Sequence, residues 1–422
     1  MKPSPFWVEE YPRPRGITSD LPSETDVLVV GSGLTGLSAA LRLARGGKTV
    51  AVVDHGAIAS GASAVNGGMV SPDIKAGIRV VFERFGPELG QEMWQATVRS
   101  VEIVSDIART ENIDTQIARG GMAALGIHSD SQARFEKTVA WYRDAVGVDW
   151  EVLGPDRVSE VAASDRFTAA LFEPEGLGIQ PARFVFGIAE RVAEEGAILV
   201  EDCAVRDVSR DGPGFKAGTD KGTVRAGEVI LATNGYTTAE PSPELSRRVV
   251  PIGSYIMVTE PLGERAARIF PRGSMTYTKR RLLNYMRRTP DERILIGGRR
   301  NLHTGLDLEE SAADLRRQLL VYFPDLQDAE ITHAWGGKLG VPFDLIPHMG
   351  QIDGVWYALG YAGHGVGLST LMGHELSGML LGEEPPSVFT KIPPPTRFYY
   401  RGKPWFLTPA SILYRALDRL GR

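Results

Sequence analysis

An α/β fold with a parallel sheet and a second domain is what three apolar segments of this chain predict. Residues 27–36 read Val-Leu-Val-Val-Gly-Ser-Gly-Leu-Thr-Gly, and Val50-Ala51-Val52-Val53 runs into Asp54. Val229-Ile230-Leu231-Ala232 runs into Thr233-Asn234-Gly235, and Val355-Trp356-Tyr357-Ala358-Leu359 into Gly360. Short runs that are apolar throughout and end in small residues read as strands buried on both faces, with a ligand edge at their C-terminal ends.

The first segment is the most specific. A strand, a G-x-G-x-x-G turn, a helix from about Leu34 to Arg45 and a second strand closing on an acid form a dinucleotide-binding unit. Gly31 permits the tight turn, Gly33 lets backbone approach a pyrophosphate, and Gly36 lets the helix pack on the strand. The helix N-terminus offers free N–H groups and a partial positive charge to phosphates. Asp54 stands roughly 20 residues beyond the glycines, where a carboxylate meets ribose hydroxyls. This unit alone leaves NAD and FAD both open.

Composition narrows the class. The chain has 422 residues, 43% hydrophobic and 23% charged, as in an ordinary globular protein of two domains or one large one. A net charge of −5 gives no reason to expect nucleic acid. One cysteine, Cys203, excludes an internal disulfide and fits a reducing compartment; a packed, inert thiol is expected. The first ten residues, Met1 to Glu10, have no apolar core, so no signal peptide is read there and a cytoplasmic location is expected. The seven histidines show no zinc-ligand spacing.

Periodicity places further elements in order. Residues 1–24 read as an extended, proline-rich arm. Helices are expected over about 90–111 and 131–146, with a strand at Gly121–Ile127 between them. A helix opens at Pro181, and Ile198–Val205 reads as one strand. From Pro251 the character changes. Strands are expected at 255–259, 283–287 and 294–298 and a helix at 311–322, with arginines among aromatics (Arg280, Arg281, Tyr285, Arg287, Arg288, Arg299, Arg300). The last internal strand leads into Tyr361-Ala362-Gly363-His364-Gly365-Val366-Gly367 and a helix over about 368–381.

That late turn decides the cofactor type. Four glycines within eight residues at the end of a buried strand favour backbone pressed against a ligand. A reduced flavin gains negative charge near N1 and the C2 carbonyl, which backbone N–H groups stabilise. A nicotinamide enzyme has no need of such a turn.

With Ser60-Gly61-Ala62-Ser63, Asn66-Gly67-Gly68, Ala232-Thr233-Asn234-Gly235, Ser254-Tyr255-Ile256, Thr259-Glu260-Pro261-Leu262, Gly297-Gly298-Arg299 and Gly360–Gly365 added to the fingerprint, the chain resembles the FAD-dependent oxidoreductases. The likeness is to the family of D-amino acid oxidase, glycine oxidase and sarcosine oxidase, nearest its γ-glutamylputrescine oxidase-like branch, and covers roughly 24–385. It implies a Rossmann-type FAD-binding domain assembled from 25–85, 179–240 and 334–386. It also implies an α+β substrate domain of mixed or antiparallel sheet from 86–178 and 241–333, and leaves 387–422 as an extension. The cofactor contacts it implies are Gly31, Gly33, Leu34, Thr35 and Gly36; Asp54 and His55; Ser60, Gly61, Ala62 and Ser63; Asn66, Gly67, Gly68 and Met69; Val205; Ala232, Thr233 and Gly235; Gly336; and Gly363, His364, Gly365, Val366 and Gly367. Some relatives attach flavin through a histidine in the 60–69 loop or a late cysteine. Here Val65 holds the first place and Trp335-Gly336-Gly337-Lys338 lacks the second, so non-covalent FAD is expected.

The activity implied is removal of hydride from an amine-bearing carbon of an amine or amino acid to flavin N5. The imine then hydrolyses, and O2 or another acceptor takes the electrons. Tyr255, Tyr285, Arg287 and Arg299 are the substrate-pocket candidates, because planar arginine pairs with carboxylates and residues two apart on a strand share a face. His364 is the candidate for proton handling or charge beside the flavin. Rival readings are oxidation of a hydroxyl-bearing carbon with His364 as base, a membrane-associated dehydrogenase, and a flavin-binding subunit without turnover. The tail from Pro404 carries Trp405, Phe406, Leu407, Ile412, Leu413, Ala416, Leu417 and Leu420 at helical spacing, with Arg415, Asp418, Arg419 and Arg422 opposite. It reads as a helix docked on its own protein, a membrane-surface anchor being the alternative.

Overall fold

The computed structural model describes residues 1–280, 282–299 and 301–419. Arg281, Arg300, Leu420 and Arg422, named above, lie outside the described residues.

Two eight-stranded sheets carry the architecture. In the first, Glu24–Val30 lies between Gly222–Leu231 and Val50–Val53, parallel to both. Ile198–Val200 extends the parallel run on one side and Val355–Leu359 on the other, where His348–Ile352 closes the edge antiparallel. A hairpin, Val205–Asp211 with Gly214–Thr219, continues from the long strand. Every residue of Val50–Val53 is buried, as expected for a strand covered on both faces. Leu34–Arg45 and Gly365–Leu381 pack so closely on one face that a Cβ on Gly373 would lie 2.2 Å from the Thr35 carbonyl oxygen.

The second sheet runs in the order 331–341, 250–259, 294–298, 285–288, 275–278, 122–126, 169–173, 151–153. Its pairings are antiparallel except that Met275–Thr278 runs parallel to Met122–Gly126. This is the mixed sheet implied for the second domain. One face, with Tyr277, Tyr285 and Ile256, turns toward the first sheet. The other, with Tyr255, Met257, Met286 and Ile296, joins a separate core under the helix Leu308–Tyr322. Alternation along each strand separates the two sets.

Four elements depart from the sequence reading. The arm is not simply extended: Phe6–Glu10 forms a helical turn that buries Phe6 and leaves Trp7 with no exposed surface. The stretch 198–205 is two strands, broken where Asp202 takes a left-handed φ of 46°. The strand Ile331–Val341 pairs along its length with Val250–Thr259, so the chain leaves the second sheet after Val341 and not at 333. The late helix starts at Gly365, which makes His364 its N-cap. Cys203 is buried and free.

Candidate active site

The cleft between the sheets opens at the C-terminal ends of the parallel strands. Its floor is the fingerprint. Gly31 has a φ of 107°, and a Cβ there would lie 2.8 Å from the Ala232 carbonyl oxygen. Gly36 packs on the turn so tightly that a Cβ would meet the Gly31 oxygen at 2.0 Å. No side chain of the preceding residue, Gly33, caps the Leu34–Arg45 helix, although Ser63 Oγ accepts from Leu34 N at 3.0 Å. Asp54 reaches the cleft, with Oδ2 accepting from Ser32 N (2.8 Å) and Ser32 Oγ (2.5 Å) and Oδ1 lying 3.0 Å from His55 Nδ1. Two side chains bind the separated stretches together. Asn234 Oδ1 accepts from Gly360 N at 2.9 Å, and the Tyr361 and Thr35 hydroxyls lie 2.6 Å apart.

The loop along one wall is clamped from three sides. Trp7 Nε1 donates to Asn66 O at 2.9 Å and Trp335 Nε1 to Val65 O at 2.7 Å. Arg287 Nη1 donates to the carbonyls of Gly67 (3.3 Å), Gly68 (2.9 Å) and Ile179 (2.9 Å). Arg287 has no exposed surface, and burial lowers its guanidinium to about 10, so it remains a cation at neutral pH. It is absent from the cleft wall. The expectation that Arg287 faces a substrate carboxylate is therefore corrected: two residues beyond Tyr285 the sheet has passed the cleft and reached the loop's backbone.

Of the other catalytic candidates, Tyr285, Arg299 and His364 line the cleft and Tyr255 does not. Tyr255 points to the opposite face, where its hydroxyl accepts from Leu306 N at 2.7 Å, while its neighbours Ser254 and Ile256 face inward. The Tyr285 ring folds across Gly297, where a Cβ would come within 2.0 Å of it, and its hydroxyl lies 3.3 Å from Ser254 Oγ.

Among the cofactor candidates, Gly31, Gly33, Leu34, Thr35, Asp54, His55, Gly61, Ala62, Ser63, Asn66, Gly67, Met69, Ala232, Thr233, Gly363, His364, Gly365 and Val366 line the cleft. Gly36, Ser60, Gly68, Val205, Gly235, Gly336 and Gly367 do not, and the local packing explains five of them. Gly36 packs on Gly31, Gly68 on Ile179, Gly235 on Leu339 and Gly340, Gly336 on the Tyr255 ring and Gly367 on Ser100. Val205 joins the core behind the sheet, and Ser60 N bonds to Ala57 O in a local turn. These glycines permit close approach of protein to protein.

Sequence reasoning missed a polar group at the far end of the cleft: Asp73, Lys75, Glu173, Tyr277 and Lys279. They come from three separated stretches, and only the two-residue spacing of Tyr277 and Lys279 at the end of a strand gave any signal. Burial pushes Asp73 up to about 6, and burial followed by the Asp73 charge pushes Glu173 up to about 8. Burial, then the Arg299 and Lys279 cations, lowers Lys75 to about 8. Burial, then the charges of Lys75 and Lys279, lowers His364 to about 3, so its ring is neutral at working pH. Among the described residues its buried Nδ1 has no hydrogen-bond partner. Among the described residues, Lys75, Lys279 and Arg299 have no carboxylate within ion-pair distance; these cations are free to take an anion.

A parallel sheet ending in a glycine cradle, facing a mixed sheet across a cleft, defines a two-domain dinucleotide-dependent oxidoreductase. Residues 26–379 match the family model described as FAD dependent oxidoreductase, and the chain belongs to that family. It is 30% identical to γ-glutamylputrescine oxidoreductase of Escherichia coli (strain K12), over 94% of this chain and 93% of that one. It is 25% identical to glycine oxidase of Geobacillus kaustophilus, over 82% and 90%. The crystal structure of glycine oxidase from Geobacillus kaustophilus superposes with a TM-score of 0.75 at 20% identity, covering 86% of this chain and 96% of that one. That of L-proline dehydrogenase from P. horikoshii gives 0.71 at 20%, covering 87% and 96%.

The protein is an FAD-dependent enzyme, and the cleft fits the cofactor. The glycine turn and the helix behind it suit a pyrophosphate, Asp54 a ribose, and the glycine-rich turn at 363–366, with its unpartnered His364 Nδ1, a flavin ring. Val65 contributes its backbone to the loop clamp, and Cys203 packs behind the first sheet, away from the cleft.

Proposed function

We propose that this enzyme oxidises the carbon–nitrogen bond of a small amine or amino acid carrying a carboxylate. The observation that carries this reading is the pair Lys279 and Arg299, cations on the cleft wall beside the flavin turn that have no carboxylate within ion-pair distance among the described residues. FAD bound in the cleft supplies the two-electron acceptance. The chain's own residues bind and orient the substrate. Tyr285, held across Gly297, and Tyr277 form an aromatic wall for its carbon skeleton, and Lys279 and Arg299 take its carboxylate, leaving Lys75 to exchange a proton.

An amine enters water mostly as ammonium and must lose a proton before its lone pair can assist departure of hydride. Lys75, lowered to about 8, is the cleft group suited to accept it. From an ammonium with a pKa of about 10.4 to Lys75 the transfer costs about 3 kcal/mol; from a hydroxyl as weakly acidic as water, about 15.7, it costs about 10 kcal/mol. His364, at about 3, is a still weaker base. The same arithmetic disfavours oxidation of a hydroxyl-bearing carbon. The relatives named as γ-glutamylputrescine oxidoreductase and glycine oxidase support the amine reading. The imine formed hydrolyses in water, and the electrons pass to dioxygen or another acceptor.

Anaerobic mixing with a panel of amines, amino acids and hydroxy acids tests this. Loss of flavin absorbance with carboxylate-bearing amines is expected. Bleaching by hydroxy acids alone, or by no member of the panel, would overturn the proposal.

A further inference from the structure

The C-terminal extension carries a surface that the chemistry of the cleft does not use. Of the nine large hydrophobic side chains exposed among the described residues, five lie within 398–413: Phe398 (89% exposed), Tyr399, Trp405 (66%), Ile412 and Leu413. Three of them form one continuous aromatic patch, with ring centroids 5.4 Å apart for Phe398 and Tyr399 and 6.3 Å for Tyr399 and Trp405. An exposed group of this kind marks an interaction site more often than a chance of composition.

The helix Leu407–Arg419 is anchored on its inner side. Leu407 and Tyr400 enter a small core with Val250, Ile252 and Leu302. Ser411 Oγ accepts from Leu302 N at 3.0 Å, and Thr408 Oγ1 lies 2.8 Å from His303 Nε2. The helix docks on its own protein, as the sequence suggests, yet Ile412 and Leu413 remain on its outer side. The inner side is taken up by these contacts and the apolar outer side is left over.

Charge selects the occupant. Between Glu384 and Asp418 the chain carries Lys391, Arg397, Arg401, Lys403 and Arg415 and no acid, in a molecule whose net charge is −5; Lys391 is paired with Glu92, which leaves Arg397, Arg401 and Lys403 beside the aromatic residues. Arg401 and Lys403 are exposed and stand between the aromatic residues in sequence. A second copy of the chain would bring the same cations against this patch and be repelled. Amphipathic rings beside cations suit the interface of an anionic bilayer, where the rings enter the headgroup layer and the cations meet lipid phosphates. We propose that the Phe398–Leu413 surface docks this enzyme peripherally on anionic lipid.

Docking would hold a particular side of the molecule against the bilayer. Leu282 and Val341 pack against the small core under the helix, and their near neighbours Leu283 and Leu339 line the cleft. The docked face and the cleft wall therefore share two segments of chain.

The test uses the FAD-loaded, full-length enzyme and vesicles of equimolar phosphatidylcholine and phosphatidylglycerol, with pure phosphatidylcholine as comparison. Co-sedimentation with the mixed vesicles at low salt, and its loss at high salt, is expected. Arg401→Glu with Lys403→Glu should weaken binding by about 30-fold or more, and Phe398→Ser with Leu413→Ser by about 10-fold or more, with the melting temperature unchanged. These side chains are exposed, so both variants should fold. Absence of sedimentation with the mixed vesicles overturns the proposal, as does wild-type binding by both variants. Concentration-dependent dimerisation abolished by Phe398→Ser and Leu413→Ser, without lipid binding, also overturns it and assigns the face to a second copy.

Discussion

Replacing Arg287 by methionine separates two roles that an arginine beside a flavin can play. The side chain is fully buried and spends Nη1 on the Gly67 and Gly68 carbonyls of the clamped loop and on that of Ile179, with no carboxylate partner among the described residues. A hydrogen bond from a charged donor contributes about 1.5–3 kcal/mol, and Nη1 has two hydrogens to share among the three carbonyls, so they are worth roughly 3–6 kcal/mol. Against that stands the cost of burying the charge. The fall of the guanidinium from 12.5 to about 10 corresponds to about 3 kcal/mol, at about 1.4 kcal/mol per pH unit. A methionine of similar length recovers part of the packing and incurs no such cost. The net loss expected for Arg287→Met is up to about 3 kcal/mol, together with weaker FAD binding because the Gly67–Gly68 backbone loosens.

Urea melts of the apoprotein and FAD titration by fluorescence measure those two quantities. A third measurement decides the role: the ratio of kcat/KM for an amine that bears a carboxylate to that for its decarboxylated analogue. For a residue that holds the loop, this ratio stays at the wild-type value while stability and FAD affinity fall. A ratio that collapses with stability intact would refute the assignment and return Arg287 to the substrate site.

Trp7→Ala should cost about 3–5 kcal/mol and weaken FAD binding, since it empties a fully buried site and frees Asn66 O; an unchanged melting temperature and FAD affinity would refute the clamp. Lys75→Met should slow anaerobic flavin reduction by about 100-fold or more and remove a limb of kcat/KM that rises with pH through about 8; the same limb in the variant would show that another group titrates. His364 is neutral when folded down to about pH 3 but charges near 6.5 when unfolded, so the unfolded chain binds more protons between those values. Stability should therefore fall as pH drops from about 6.5 to about 3, and His364→Asn should flatten that slope in acid melts. Acid precipitation should leave a colourless pellet with flavin in the supernatant; a yellow pellet would contradict non-covalent attachment.

What the sequence displays and what it conceals divide along a physical line. The parallel strands, the glycine turns and the helix at Leu34–Arg45 were legible because each is set by residues close in sequence, through apolar runs, helix stops and left-handed backbone. The second sheet's strands could be read, but not the faces they present to the cleft, since those follow from pairing partners up to hundreds of residues apart. The chemistry of Tyr255 and Arg287 suits a substrate pocket, and geometry sets both elsewhere: one sits on the outer side of its strand, the other beyond the cleft's edge.

The glycines repeat the lesson. Gly68, Gly235 and Gly367 allow one backbone to press on another, and a sequence cannot distinguish that from backbone pressed on a cofactor. The arm shows the converse. A proline-rich, charged segment has the composition of a loose end, yet Trp7 within it supports the loop beside the flavin site. Charge balance at the far end of the cleft was the least legible feature. Asp73, Lys75 and Glu173 acquire their shifted proton affinities only when the fold removes water and sets them beside one another and Lys279. Cofactor specificity here is thus written in local backbone rules, and substrate specificity in long-range juxtaposition. Relatives that share the glycine turns at low identity should therefore keep FAD while differing in the residues at the positions of Asp73, Lys75, Glu173 and Lys279.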